Sequence, residues 1–266
     1  MKCDGQTITK TALHALTFLG WSMLSLASAN AQTTSSQPAS IPTTLSVAGV
    51  AGAAQAAYFS ANAAELERLA TATTAWAKST SPREQYTYAY VQFRALQVAI
   101  GAKRKDVASK AGDACVDTVD AIVKREPKFA EAYALQSACY GYMTNLGGMA
   151  AIRNGSKSGK SIEAAMALEP RNPRILLVDG FGVYFRPKFV GGDKAKGCAR
   201  FREAAAAFDA AAGASSAGID WGVAESHYWV GRCAQDAGDA SGARREFERA
   251  AAIAPDFLAA KRALTR

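Results

Sequence analysis

Few residues in this 266-residue chain are suited to chemistry. Its two histidines are His14 and His227, and four cysteines (Cys115, Cys139, Cys198 and Cys233) follow an isolated Cys3. A lone histidine lacks the nucleophile and orienting acid that make it a working base, so His227 reads as a packed side chain. Residues 155–161 (GSKSGKS) end in the Gly-Lys-Ser of a phosphate cradle. Gly155, however, precedes Gly159 by four positions where the P-loop needs five, and no strand leads into it. We therefore read residues 146–159 as a flexible, basic extension of a helix corner. Asp193, in the run Gly191-Gly192-Asp193-Lys194, reads as the cap of a helix beginning at Lys194. The chain contains no G-x-S-x-G, H-E-x-x-H or C-x-x-C. Neither catalysis, a metal nor a cofactor is expected.

The elements that position these residues begin after a leader. Lys2 and Lys10 flank a polar stretch, residues 12–29 are largely apolar, and Ala29 and Ala31 supply an A-x-A ending. This order is that of a secretory signal, expected to be cleaved after Ala31 and to deliver the chain to the periplasm. Residues 32–46 (QTTSSQPASIPTTLS) read as a disordered linker, and residues 47–266 as one folded domain. No later apolar run is long enough to span a membrane. The whole chain carries a net charge of +8. Removing residues 1–31 takes away Lys2, Lys10 and Asp4 and leaves +7. The basic residues look scattered, and export excludes nucleic acid, so an anionic envelope partner suits the charge better.

Abundant alanine and sparse β-branched residues favour an all-α chain with short turns. Residues 224–255 contain the clearest repeat unit. Gly231, Ala243, Phe247, Ala250 and Pro255 stand at successive intervals of 12, 4, 3 and 5 residues, with the turn at residues 236–239 between two helices. This resembles the tetratricopeptide (TPR) repeat, in which small residues let two antiparallel helices approach closely. Similar endings at Pro127 and Pro170 are 43 residues apart, against roughly 34 in the standard unit. A third unit carries Gly180, Gly197, Phe201 and Ala204 around an enlarged corner at residues 185–193. The expected architecture is an α-solenoid of about four TPR-like helix pairs. One N-terminal helix over residues 47–78 precedes them, and a capping helix over residues 256–265 ends the stack.

Residues 172–174, Tyr184, Pro187, residues 189–194, Trp221-Gly222 and residues 228–231 are similar to a periplasmic branch of TPR proteins. That branch includes the T-component-like proteins of tripartite periplasmic transporters. The resemblance implies a partner in the envelope, a transporter component among the candidates. Four cysteines allow three connectivities. In the TPR register Cys115 falls near the start of one second helix and Cys139 in the next first helix, and such helices pack together, which implies Cys115–Cys139 and Cys198–Cys233. The same register places Tyr142, Phe181, Tyr184, Phe185, Tyr228 and Arg232 on the surface lined by the first helices, with Tyr184 and Arg232 the most accessible. Aromatic and arginine side chains anchor binding surfaces. The expected function is non-catalytic recognition of a peptide or protein on that concave face. The alternative is a small-molecule carrier, or an accessory component of an envelope uptake system.

Overall fold

The computed structural model describes residues 45–211 and 219–265. The expected signal, and all of the linker but Leu45 and Ser46, lie outside the described residues. Eleven α-helices are described: α1 Val47–Phe59, α2 Ala63–Ala72, α3 Pro82–Gly101, α4 Lys105–Arg125, α5 Ala130–Met143, α6 Gly148–Leu168, α7 Pro173–Phe185, α8 Lys194–Ala211, α9 Val223–Asp236, α10 Ala240–Ile253 and α11 Leu258–Leu264. The described residues contain no strand. Short polar side chains mark several starts. Asn172 Oδ1 accepts from the Arg174 amide at 3.0 Å, and Asp239 Oδ1 from the Gly242 amide at 2.8 Å. Asp193 Oδ1 accepts from the Lys196 amide at 3.1 Å, as the sequence led us to expect. Each cap satisfies an amide that the first helical turn leaves without a partner.

Four antiparallel pairs follow: α3–α4, α5–α6, α7–α8 and α9–α10. The repeat glycines explain how closely they pack. A Cβ on Gly180 would stand 2.8 Å from the Phe201 ring, and one on Gly231 would stand 2.7 Å from the Phe247 ring. One phenylalanine of the second helix thus lies on a bare backbone of the first, in both pairs. Between α5 and α6 the close approach uses serines instead: Ser137 Oγ donates to the Ser158 carbonyl and Ser158 Oγ to the Ser137 carbonyl, each at 2.9 Å.

The first helices of successive pairs run in the same direction. Tyr86 near the start of α3 stacks on Phe129 just before α5, at 5.4 Å. Glu131 at the start of α5 lies 3.6 Å from Arg174 at the start of α7. At the other ends of α7 and α9, the Tyr184 hydroxyl donates to Asp236 at 2.8 Å. Between pairs, Cys115 of α4 is bonded to Cys139 of α5, and Cys198 of α8 to Cys233 of α9, with Cα–Cα distances of 6.4 and 5.8 Å. Both disulfides have the inter-pair connectivity that the repeat register implied. The stack also meets itself. Arg94 of α3 is paired with Glu225 of α9, and Phe59 of α1 packs on Phe257 beside α11 at 4.3 Å.

Three expectations are corrected. Residues 47–78 are not one helix: Ala61 takes a left-handed φ of 54°, Asn62 caps α2, and a 3-10 turn covers Thr74–Lys78. A polar Ser-Ala-Asn break does here what the sequence reading sought in glycine or proline. Gly155 and Gly159 lie inside α6, not in a corner, because α5 holds that backbone through Ser137 and through Gln136, which accepts from Ser161 at 2.6 Å. Tertiary contact overrides the poor helix propensity of glycine. The turn falls earlier, at Thr144–Leu146 and Gly147, whose φ is 83°. Cys115 lies mid-way along α4, not near its start.

Candidate functional site

The last turn of α7 and the middle of α9 together form an aromatic wall. Phe181, Tyr184 and Phe185 stand at i, i+3 and i+4 on α7, so all three meet α9. Trp229 sits among them, its ring centroid 5.5, 5.7 and 5.1 Å from theirs. Phe201 of α8 backs the group, 5.6 Å from Trp229. Edge-on and tilted ring contacts of this kind add directional preference to apolar burial. Tyr228, next along α9, packs on Phe247 and Phe257 at 5.6 and 5.1 Å.

Polar groups edge this wall. Arg232 Nη1 donates to the Tyr228 hydroxyl at 3.2 Å, and the guanidinium lies 6.0 Å from the Trp229 centroid. The bond to Tyr228 holds the Arg232 pKa above the usual arginine value, so its charge is fixed. Arg232 Nε is buried and has no hydrogen-bond partner. Lys194 Nζ lies 5.4 Å above the Tyr184 ring. Burial, reinforced by the bond to Asp236, raises the Tyr184 pKa. The arrangement offers one permanent cation, one unused donor and several aromatic faces, which suits a ligand bearing an acceptor or carboxylate beside an apolar group.

Five of the six residues expected on the binding surface meet here: Phe181, Tyr184, Phe185, Tyr228 and Arg232. Tyr142 does not, because it lies edge-on to Phe93 of α3 at 5.6 Å. Tyr184, expected among the most accessible, is only 8% exposed, whereas Phe185 is 60% exposed. The base of Tyr184 is pressed on α8, where a Cβ on Gly197 would stand 2.6 Å from the Tyr184 Cβ. Trp229, the centre of the wall, was not among the expected residues. Its signal was its place three residues before Arg232 on one helix.

His227 is 2% exposed, with Nδ1 2.8 Å from Glu246 Oε2 on the paired helix α10, matching the packed reading. Its Nε2 makes no hydrogen bond and lies 3.5 Å from Asp209 Oδ1. An open groove of about 470 Å³ passes it between α8 and α10, edged by Arg202, Arg245 and Arg249. Asp209 is already engaged there by Arg249 at 2.6 Å. Among the described residues, no group of three or more His, Cys, Asp or Glu side chains could hold a metal ion.

These pairs and their stacking define an all-α, TPR-like helical solenoid. Its fold is similar to that of the HusA haemophore from Porphyromonas gingivalis, with a TM-score of 0.57 at 17% identity over 74% of this chain and 96% of that one. A looser similarity, TM-score 0.46 at 14% identity over 76% and 87% of the two chains, links it to a thermophilic TPR protein in Thermus thermophilus. At these identities the likeness concerns the fold alone. No family model matches the chain, and no curated protein matches its sequence. No described helix is long and apolar enough to cross a membrane.

Proposed function

We propose that this chain is a non-catalytic binding protein of the cell envelope, recognising a peptide or protein partner through the α7–α9 wall. The observation that carries this reading is Arg232: its Nε is buried without an acceptor beside Trp229, whose ring packs on the exposed Phe185. A buried donor left unpaired costs on the order of 1–3 kcal/mol, and a partner's carbonyl or carboxylate recovers it. The two disulfides suit an oxidising compartment such as the periplasm, in keeping with the leader at residues 1–31. A transporter component is one such envelope partner.

The likeness to a haemophore raises small-ligand carriage as the alternative. A carrier needs an apolar hollow of roughly 300 Å³ or more. The apolar hollow beside Leu66, Ala95 and Val98 measures about 20 Å³, and the groove beside His227 is open and charged. The unpaired Arg232 donor at the wall favours the peptide reading. Its test is selection of binding peptides on the purified domain, followed by calorimetric titration of the best one. Arg232→Ala and Phe185→Ala should each weaken binding about tenfold, as anchor residues do. Arg244→Ala, exposed on α10, should leave it unchanged. Equal affinity for all four proteins would show that the wall is not the binding face.

A further inference from the structure

The net charge looks scattered along the sequence, but the fold collects it. Residues 144–160 hold three basic and no acidic side chains, and residues 185–197 hold four basic and one acidic. These two stretches therefore account for six of the seven net positive charges of residues 45–266. They are the α5–α6 turn with the N-terminal part of α6, and the α7–α8 corner. Because the starts of α5 and α7 are joined by Glu131 and Arg174, the far ends of both helices, and hence both corners, lie at one edge of the stack.

The same edge carries most of the exposed apolar bulk. Met149 is 81% exposed, Ile152 70%, Phe189 89% and Val190 52%. Phe185 adjoins them, leaving only Leu168 and Ile253 among the large exposed apolar side chains elsewhere on the described residues. Around these tips Arg153, Lys188, Lys194 and Lys196 are exposed, and the exposed Lys157 and Lys160 follow along α6. Helix α6 has 21 residues against 14 in α5, so its first turns carry Met149 and Ile152 beyond its partner. A protein interface concentrates apolar groups in a central patch and excludes charge from it. Apolar tips interleaved with lysine and arginine are instead the pattern of an interfacial membrane contact.

We propose that this edge docks on an anionic lipid surface, Phe189, Val190, Met149 and Ile152 entering the headgroup boundary while the flanking cations meet the phosphates. This docking is independent of the peptide-binding reading, and Phe185, which borders both regions, is left unchanged in the test. The protein lacking residues 1–31 is floated with vesicles of phosphatidylcholine alone, or with about one quarter phosphatidylglycerol. It should float with the anionic vesicles only, and less so at high salt. The triple variant Arg153→Glu, Lys188→Glu, Lys196→Glu should lose at least about tenfold in partitioning. Phe189→Ser with Val190→Ser should weaken it at constant charge. Lys261→Glu, on α11, should float as the parent does. All substituted side chains are exposed, and unchanged circular dichroism and melting temperature establish that each variant is folded. Equal flotation with both vesicle types would overturn the proposal. So would corner variants that float like the parent, or a Lys261→Glu loss equal to theirs. Retention on immobilised polyglutamate without flotation would assign the edge to an acidic protein instead.

Discussion

A guanidinium removed from water must be surrounded by acceptors, and Arg94, 1% exposed, is supplied from two helices. Glu225 of α9 pairs with it, Tyr90 accepts from Nε at 2.9 Å, and Gln97 from Nη1 at 2.8 Å. The Tyr58 ring lies 4.2 Å from the guanidinium carbon. Removing one member of a buried pair strands the other, at a cost of about 3–5 kcal/mol. Urea unfolding should show that loss for Arg94→Leu, and a smaller one for Arg94→Leu combined with Glu225→Leu. A double variant less stable than the single would contradict the stranded-charge explanation. Gly231→Ala tests the repeat register at the same scale. Its Cβ would overlap the Phe247 ring, so a loss of about 1–3 kcal/mol is expected, partly recovered by adding Phe247→Leu.

At the scale of elements, each disulfide fastens one pair to the next, closing segments with sequence separations of 24 and 35. The junction between α6 and α7 has no such bond and touches less than the other junctions. Arg174, Glu131 and Asn172 join the neighbouring helices there, with Asn172 Nδ2 donating to Glu131 at 3.2 Å. Replacing Cys115 and Cys139 by alanine should cost about 3 kcal/mol on the loop-entropy account. Non-reducing mass spectrometry of the parent should find both bridges, and four free thiols would refute the connectivity. The pairing was legible in the sequence because Gly231, Phe247 and their counterparts Gly180 and Phe201 recur in a fixed register. The N-terminal hairpin was not, since its turn rests on a single left-handed alanine that composition does not mark. Gly155 and Gly159 misled for the opposite reason: contacts made by α5, many residues earlier, keep them helical. Five of the six expected surface residues lie together because α7 and α9 follow the register, whereas Tyr142 stands apart on α5 against Phe93 of α3.

Across the whole described domain, contacts between distant segments close the interior around tyrosines, and no short-range pattern announces them. Trp221 Nε1 donates to the Tyr86 hydroxyl at 3.1 Å, while the Tyr90 hydroxyl donates to Gln55 Oε1 of α1 at 3.0 Å. Both rings are fully buried, and burial is the main cause that pushes both phenol pKa values above the usual tyrosine value. In the unfolded chain they titrate near pH ~10. Below that pH both states keep the protons, so the two phenols add no pH dependence. Above it the unfolded chain releases protons that the folded chain retains. Stability therefore falls as pH rises, by about 1 kcal/mol per pH unit for each phenol. Urea midpoints should accordingly drop steeply above pH ~10, with phenolate absorbance from these two rings appearing only as the chain unfolds. Tyr86→Phe should be less stable at neutral pH, because Trp221 loses its acceptor, and should lose less stability across the alkaline range. An unchanged alkaline slope in that variant would mean that other groups, not the enclosed tyrosines, set the limit at high pH.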